Sequence, residues 1–347
     1  MKNRPKISQN RPGGMAVRII FCNFASRKMH PAPPSRAHGH HNSFIIQHHS
    51  SPGLSHAADV DSLCKQHHSI LMEAKKVLFI SQEVSPYVPD TPLSTVGRDI
   101  PQSAHGKEFE VRIFTPKYGC VNERRNQLHE VIRLSGLNLV IDDNDHPLII
   151  KVATLLPSRM QVYFIDNDDF FHPMQEKGLE TDVDPAVNDE RMMFFTTGTI
   201  ETVKKLRWQP AVIHCSGWIS ALSPLYIKRK YADDPTFRAS KIVYALHPQV
   251  MEGELDPRFV EKLKMDGIDE ADIASITAAP VDNLALQKLA IDYADAIVQV
   301  SPDVPAELVE YARASGKPML GPAPEGARLQ DHFKPFYRHI IGEEDED

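Results

Sequence analysis

KVLFISQEVSPY, residues 76–87, sets a four-residue apolar run, Val77-Leu78-Phe79-Ile80, between a lysine pair and a polar turn. A short β-rich run without alternation is the pattern of a strand buried on both faces. The same unit recurs as VRIF (111–114), VYFI (162–165), VIHC (212–215), IVYAL (242–246) and AIVQV (296–300). Between these runs the apolar spacing becomes helical at roughly 95–106, 189–206, 217–231, 282–293 and 303–315, the last closed by Gly316 and Pro318. Strands alternating with helices predict a mainly parallel sheet covered on both faces, a Rossmann-like three-layer α/β sandwich. Residues 128–166 differ. Consecutive strand-like pieces with turns at Ser135-Gly136 and Asp142–Asp145 predict a small antiparallel insertion.

Composition narrows the function classes. The 347 residues are 41% hydrophobic and 24% charged, with no apolar run long enough to span a bilayer, so no membrane partner is expected. Four dispersed cysteines, Cys22, Cys64, Cys120 and Cys215, contain no C-x-x-C pair and point to a reducing cytoplasm. Charge is uneven. Residues 1–71 hold nine Lys or Arg, two acids and nine of the seventeen histidines, a local charge of +7 against −14 for the remainder. This Arg-, His- and Pro-rich segment lacks core-forming periodicity and reads as disordered. A transit peptide, a nucleic-acid-binding arm, an adventitious metal tract and a misplaced start codon compete for it. The last is favoured because Met72 opens MEAKKVLFISQE, a natural beginning, and no nucleic-acid partner is expected. The expected organisation is a basic extension at 1–71, a catalytic-like domain at 72–320 and an acidic tail at 321–347.

In a doubly wound sheet, ligands bind beyond the carboxyl ends of the strands, near the switch in strand order. The residues that follow the strands are Ser81-Gln82-Glu83, Pro116-Lys117-Tyr118, Asp166-Asn167-Asp168-Asp169, Ser216-Gly217-Trp218 and His247-Pro248. Asp166-x-Asp168 resembles a D-x-D metal motif, but an acidic turn is the simpler account and no metal or cofactor is expected. Cys215 beside His214 fails as a nucleophile–base pair, because adjacent strand residues face opposite ways.

KVLFISQEVSPY, PKYGCVNERRNQLHEVIRLSG (116–136), VYFIDNDDFF (162–171) and VIHCSGWISALSPLYIK (212–228) together resemble the starch synthase catalytic domain of bacterial glycogen synthases, over about 75–320. The resemblance implies the N-terminal half of a GT-B fold. It also implies metal-free, retaining transfer of glucose from ADP-glucose to an α-1,4-glucan in a cleft between two domains. By family position His247 is the catalytic candidate. Asn167, His214 and Trp218 are the substrate-binding candidates on the acceptor wall.

Departures from the family pattern fall on the donor side. Where the resemblance implies Lys-Thr-Gly-Gly-Leu followed by Asp, this chain has Pro89-Asp90-Thr91-Pro92-Leu93-Ser94-Thr95. The acid expected before the tryptophan is Gly217. Prolines and an aspartate supply neither the close backbone approach nor the positive charge that a phosphate needs. The thirty residues after Lys317 are too few for a second Rossmann-like domain, which the family uses for the nucleotide. Expected partners are therefore an α-glucan and a separate C-terminal GT-B half, with ADP-glucose poorly held. The enzyme reading is an inactive half-synthase. The alternative is a non-catalytic glucan-binding or regulatory module. An unrelated nucleotide-binding protein is disfavoured because neither G-x-G-x-x-G nor a P-loop follows any of the strands.

Overall fold

The computed structural model describes residues 73–172, 187–249, 251–278 and 280–343. The basic extension and its competing readings lie outside the described residues, as do the last four of the acidic terminus.

The first strand, β1 (Lys75–Ser81), is central. It pairs in parallel with β2 (Phe109–Pro116) on one side and β7 (Val212–Ser216) on the other. Beyond β2 come β6 (Met160–Asp166), β5 (Asn144–Leu155) and β3 (His129–Glu130); beyond β7 come β8 (Lys241–Leu246), β9 (Ala296–Gln299) and β10 (Met319–Leu320). All neighbours from β6 to β10 run parallel, while β5 is antiparallel to β6. Chain order reverses between β1 and β7, which places the topological switch there.

The antiparallel insertion is present as expected. β4 (Leu137–Ile141) folds back on β5 through Asp142 and Asp143, both at positive φ (46° and 63°), the two-residue turn that suits strand twist. Ile141, Leu148 and Ile150 turn inward beneath the long helix α3 (Asn188–Leu206).

The first helix, α1 (Pro92–Ala104), starts earlier than periodicity suggests, because the altered loop is itself a helix start. Thr91 is the N-cap, accepting from Ser94 N at 2.9 Å while Ser94 Oγ accepts from Thr91 N at 2.8 Å, and Pro92 takes the first-turn position where its missing N–H costs nothing. Gly97 lets this helix lie against the strand end. A Cβ there would stand 2.0 Å from the carbonyl oxygen of Glu83.

After β6 comes the single turn α2 (Asp168–Phe171). The stretch expected to be one helix at 217–231 is a 3-10 turn (Trp218–Ser220) followed by α4 (Ser223–Lys228). Helices α5 (Phe259–Met265), α6 (Asn283–Tyr293) and α7 (Ala306–Ala314) complete the crossovers. On α5, Lys262 is buried and paired with Asp189 and Glu190 at 2.8 and 2.7 Å, fastening that helix to the start of α3.

The reading of 321–347 as an acidic tail gives way to a last helix, α8 (Leu329–Ile341). It packs beside α1, with Phe333 and Tyr337 buried against Phe79, Phe109 and His214 on the face of β1, β2 and β7. Only the residues beyond it are predominantly acidic. No helix among the described residues is long and apolar enough to cross a membrane.

Candidate active site

The switch point is knitted by hydrogen bonds between strand ends. Gln82 N donates to Ser216 O at 2.9 Å, and Gln82 O accepts from Tyr118 Oη at 3.0 Å. Gly217 then turns the chain at φ +87°, where an added Cβ would lie 2.4 Å from Gln82 Cβ. The acid missing before Trp218 is thus explained by space as well as by backbone. No side chain fits at that position without displacing Gln82.

His247 follows β8 and is buried, its Nε2 lying 2.8 Å from Ser216 Oγ. Burial lowers its pKa to about 3, so the imidazole is neutral at physiological pH. His214 also falls to about 3, through burial and then the neighbouring His247. It points from β7 to the face under α8, stacks on Phe79 at 5.0 Å between centroids, and its Nδ1 is 2.8 Å from Tyr337 Oη. Trp218 is 7% exposed and opens the 3-10 turn behind Gly217. Asn167 caps α2: its Oδ1 accepts from Asp169 N and Phe170 N at 3.0 and 3.1 Å, and its Nδ2 donates to Pro147 O at 3.1 Å.

Of the four candidates, the fold gathers His247, Trp218 and His214 around β7. Asn167 lies at the end of β6, four strand spacings from His247 and thus roughly 19 Å away. Cys215 faces away from His214 and is buried, and burial pushes its thiol up, well out of the range of a nucleophile.

Sequence reasoning missed the role of Glu83. Its Oε2 accepts from Thr91 Oγ1, which brings a carboxylate to the start of α1, where the helix dipole favours an anion. Beside it Ser85 Oγ donates to Asp90 Oδ1 at 2.6 Å. A cavity of about 360 Å³ opens at this point, lined among others by Tyr87, Pro89, Asp90, Cys120, Arg125 and Asn126. A second polar cluster lies across β2, β5 and β6. Lys151 bridges Glu123 and Asp166 at 2.7 and 2.8 Å, and Lys117 bonds Glu123 at 3.1 Å.

The family model described as the starch synthase catalytic domain matches residues 76–320. The chain belongs to that family. Among similar proteins, a glycogen synthase of Pelodictyon phaeoclathratiforme (strain DSM 5477 / BU-1) is 32% identical over 271 residues, covering 77% of this chain and 52% of that protein. A glycogen synthase of Chlorobium luteolum (strain DSM 273 / BCRC 81028 / 2530) is 37% identical over 200 residues, 56% of this chain and 40% of that one. The catalytic domain of Starch Synthase IV from Arabidopsis thaliana, solved bound to ADP and acarbose, superposes with a TM-score of 0.59 at 19% identity. It covers 76% of this chain and 54% of that chain. That likeness confirms the GT-B-type α/β fold. The chain spans about half the length of these starch synthase family relatives.

Proposed function

We propose that residues 76–320 serve α-glucan metabolism as the acceptor-side half of a glucosyltransferase. The family activity is transfer of glucose from ADP-glucose to an α-1,4-glucan. On this reading His247, Trp218 and His214 build or support one wall of the glucan cleft, Asn167 shapes its far end, and a C-terminal GT-B half of the family's kind supplies the nucleotide pocket.

The observation that carries this reading is the Glu83–Thr91 contact. Breaking a glycosyl–diphosphate bond releases negative charge that preorganised cations and backbone donors must meet. Here the helix start beside the switch point already holds a carboxylate, with Asp90 next to it. A neutral oligosaccharide meets no such repulsion. Tyr87, Asn126 and Arg125 around the adjoining cavity are of the kinds that hold sugar rings and hydroxyls.

Calorimetry of the full chain tests the proposal. Heat of binding is expected with a malto-oligosaccharide and none with ADP-glucose at the same concentrations. Saturable ADP-glucose binding without glucan binding would overturn it.

A further inference from the structure

The acidic turn after β6 carries more than a turn requires. Asp166, Asp168 and His172 bring one ligand atom each into a group whose members all lie within 4.8 Å of one another. His172 Nε2 stands 3.3 Å from Asp168 Oδ1 and 4.0 Å from Asp166 Oδ1. Two ligands on opposite sides of an ion at about 2.1 Å lie about 4.2 Å apart. Both of these separations fall within that span, and the third pair, Asp166 with the exposed Asp168, lies within 4.8 Å.

The independent sign is Asp166 itself. Its residue is 1% exposed, and Oδ1 is buried without a hydrogen-bond partner while Oδ2 is held by Lys151 at 2.8 Å. A buried carboxylate oxygen left unmatched is costly, and here it is aimed at His172. The supports are rigid. Asn167 caps the turn that carries Asp168 and brings His172 round one helical turn later, and Lys151, anchored on Glu123 at 2.7 Å, fixes the plane of Asp166. Oriented ligands backed by hydrogen-bonded neighbours are the usual construction of a metal centre.

We propose that Asp166, Asp168 and His172 form a site for one divalent first-row transition ion. Two carboxylates and an imidazole suit Mn²⁺ through Zn²⁺ better than Ca²⁺ or Mg²⁺, which favour all-oxygen shells. The ion has a competitor in the chain. Lys117 Nζ lies 3.3 Å from His172 Nε2 and 3.1 Å from Glu123 Oε1, so its ammonium competes with the ion for the imidazole nitrogen. Entry of the ion moves Lys117 fully onto Glu123, and this exchange keeps the affinity modest.

The test is titration of the full chain with Mn²⁺, reading free ion by electron paramagnetic resonance. Mn²⁺ is chosen because the histidine-rich stretch at 38–49 attracts softer ions. Wild type is expected to bind one more ion than the Asp168→Asn, His172→Gln double variant. Alanines at His38, His40 and His41 leave that ion in place. Lys117→Met binds it at least about tenfold more tightly, because a like charge a few ångströms away is removed. Urea unfolding of each variant separates lost binding from lost folding. Equal stoichiometry in wild type and the folded double variant overturns the proposal, as does Mn²⁺ affinity in folded Lys117→Met no higher than in wild type.

Discussion

At the scale of single residues, two positions show what packing demands against local preference. Gly97 lies inside α1, where alanine is favoured by about 1 kcal/mol on helix propensity alone. Its neighbour decides otherwise, since a methyl group there would stand 2.0 Å from Glu83 O, a backbone atom that cannot swing away. Gly97→Ala is expected to lower stability by about 2–4 kcal/mol in urea unfolding, the opposite sign from propensity. The buried histidines make the second case. His214 and His247 titrate near pH 3 in the fold and near 6.5 when unfolded, so the unfolded chain binds the extra protons between those values. Their contribution is complete above about pH 6.5 and is lost as pH falls toward 3, at up to about 1.4 kcal/mol per pH unit for each histidine. Unfolding measured from pH 7 to pH 4.5 should show this decline, and His247→Gln should remove about one proton from the slope.

At the scale of elements, most strands were legible because a buried parallel strand leaves a continuous apolar run that little else produces. The runs at 77–80, 111–114, 162–165, 212–215, 242–246 and 296–300 are all strands, extended by a residue or two or shortened by one. Helix α8 was not legible as part of the core. Phe333, Phe336, Tyr337, Ile340 and Ile341 follow helical spacing, but Pro335 interrupts them and charged residues surround them. What makes α8 structural is the face it covers, and that depends on β1, β2 and β7 coming together from distant parts of the chain. Candidate site residues share this limit. Strand ends can be marked in sequence, yet that His247 meets Ser216 and that Asn167 is consumed as a cap follow only from strand order and loop path. The weight of α8 can be divided experimentally. Tyr337→Phe removes only the bond to His214 and is expected to cost about 1 kcal/mol, whereas Tyr337→Ala empties a fully buried site and should cost about 3–5 kcal/mol. Two equal losses would mean that the hydrogen bond, and not the packing, holds the helix.

At the scale of the whole molecule, charge separates the two ligands of the family reaction. Residues 72–347 carry a formal −14, and two carboxylates stand at the start of α1 beside the switch point. A sugar nucleotide brings negative charge into that field, and a malto-oligosaccharide brings none. Raising the ionic strength from about 0.05 to 0.3 M shortens the screening length to well under 10 Å. Glucan affinity should therefore be insensitive to salt, while any residual ADP-glucose affinity should rise with it. That direction is diagnostic, because a working diphosphate clamp of lysines and arginines would weaken with salt instead. The same electrostatics govern turnover, since the transition state gathers more charge on the leaving diphosphate than the bound donor does. The full chain supplied alone with radiolabelled ADP-glucose and glycogen is expected to incorporate no label above a blank without protein, and His247→Ala should match it. Label incorporated well above the blank, weakened by salt and abolished by His247→Ala, would show that these residues hold and activate the donor after all.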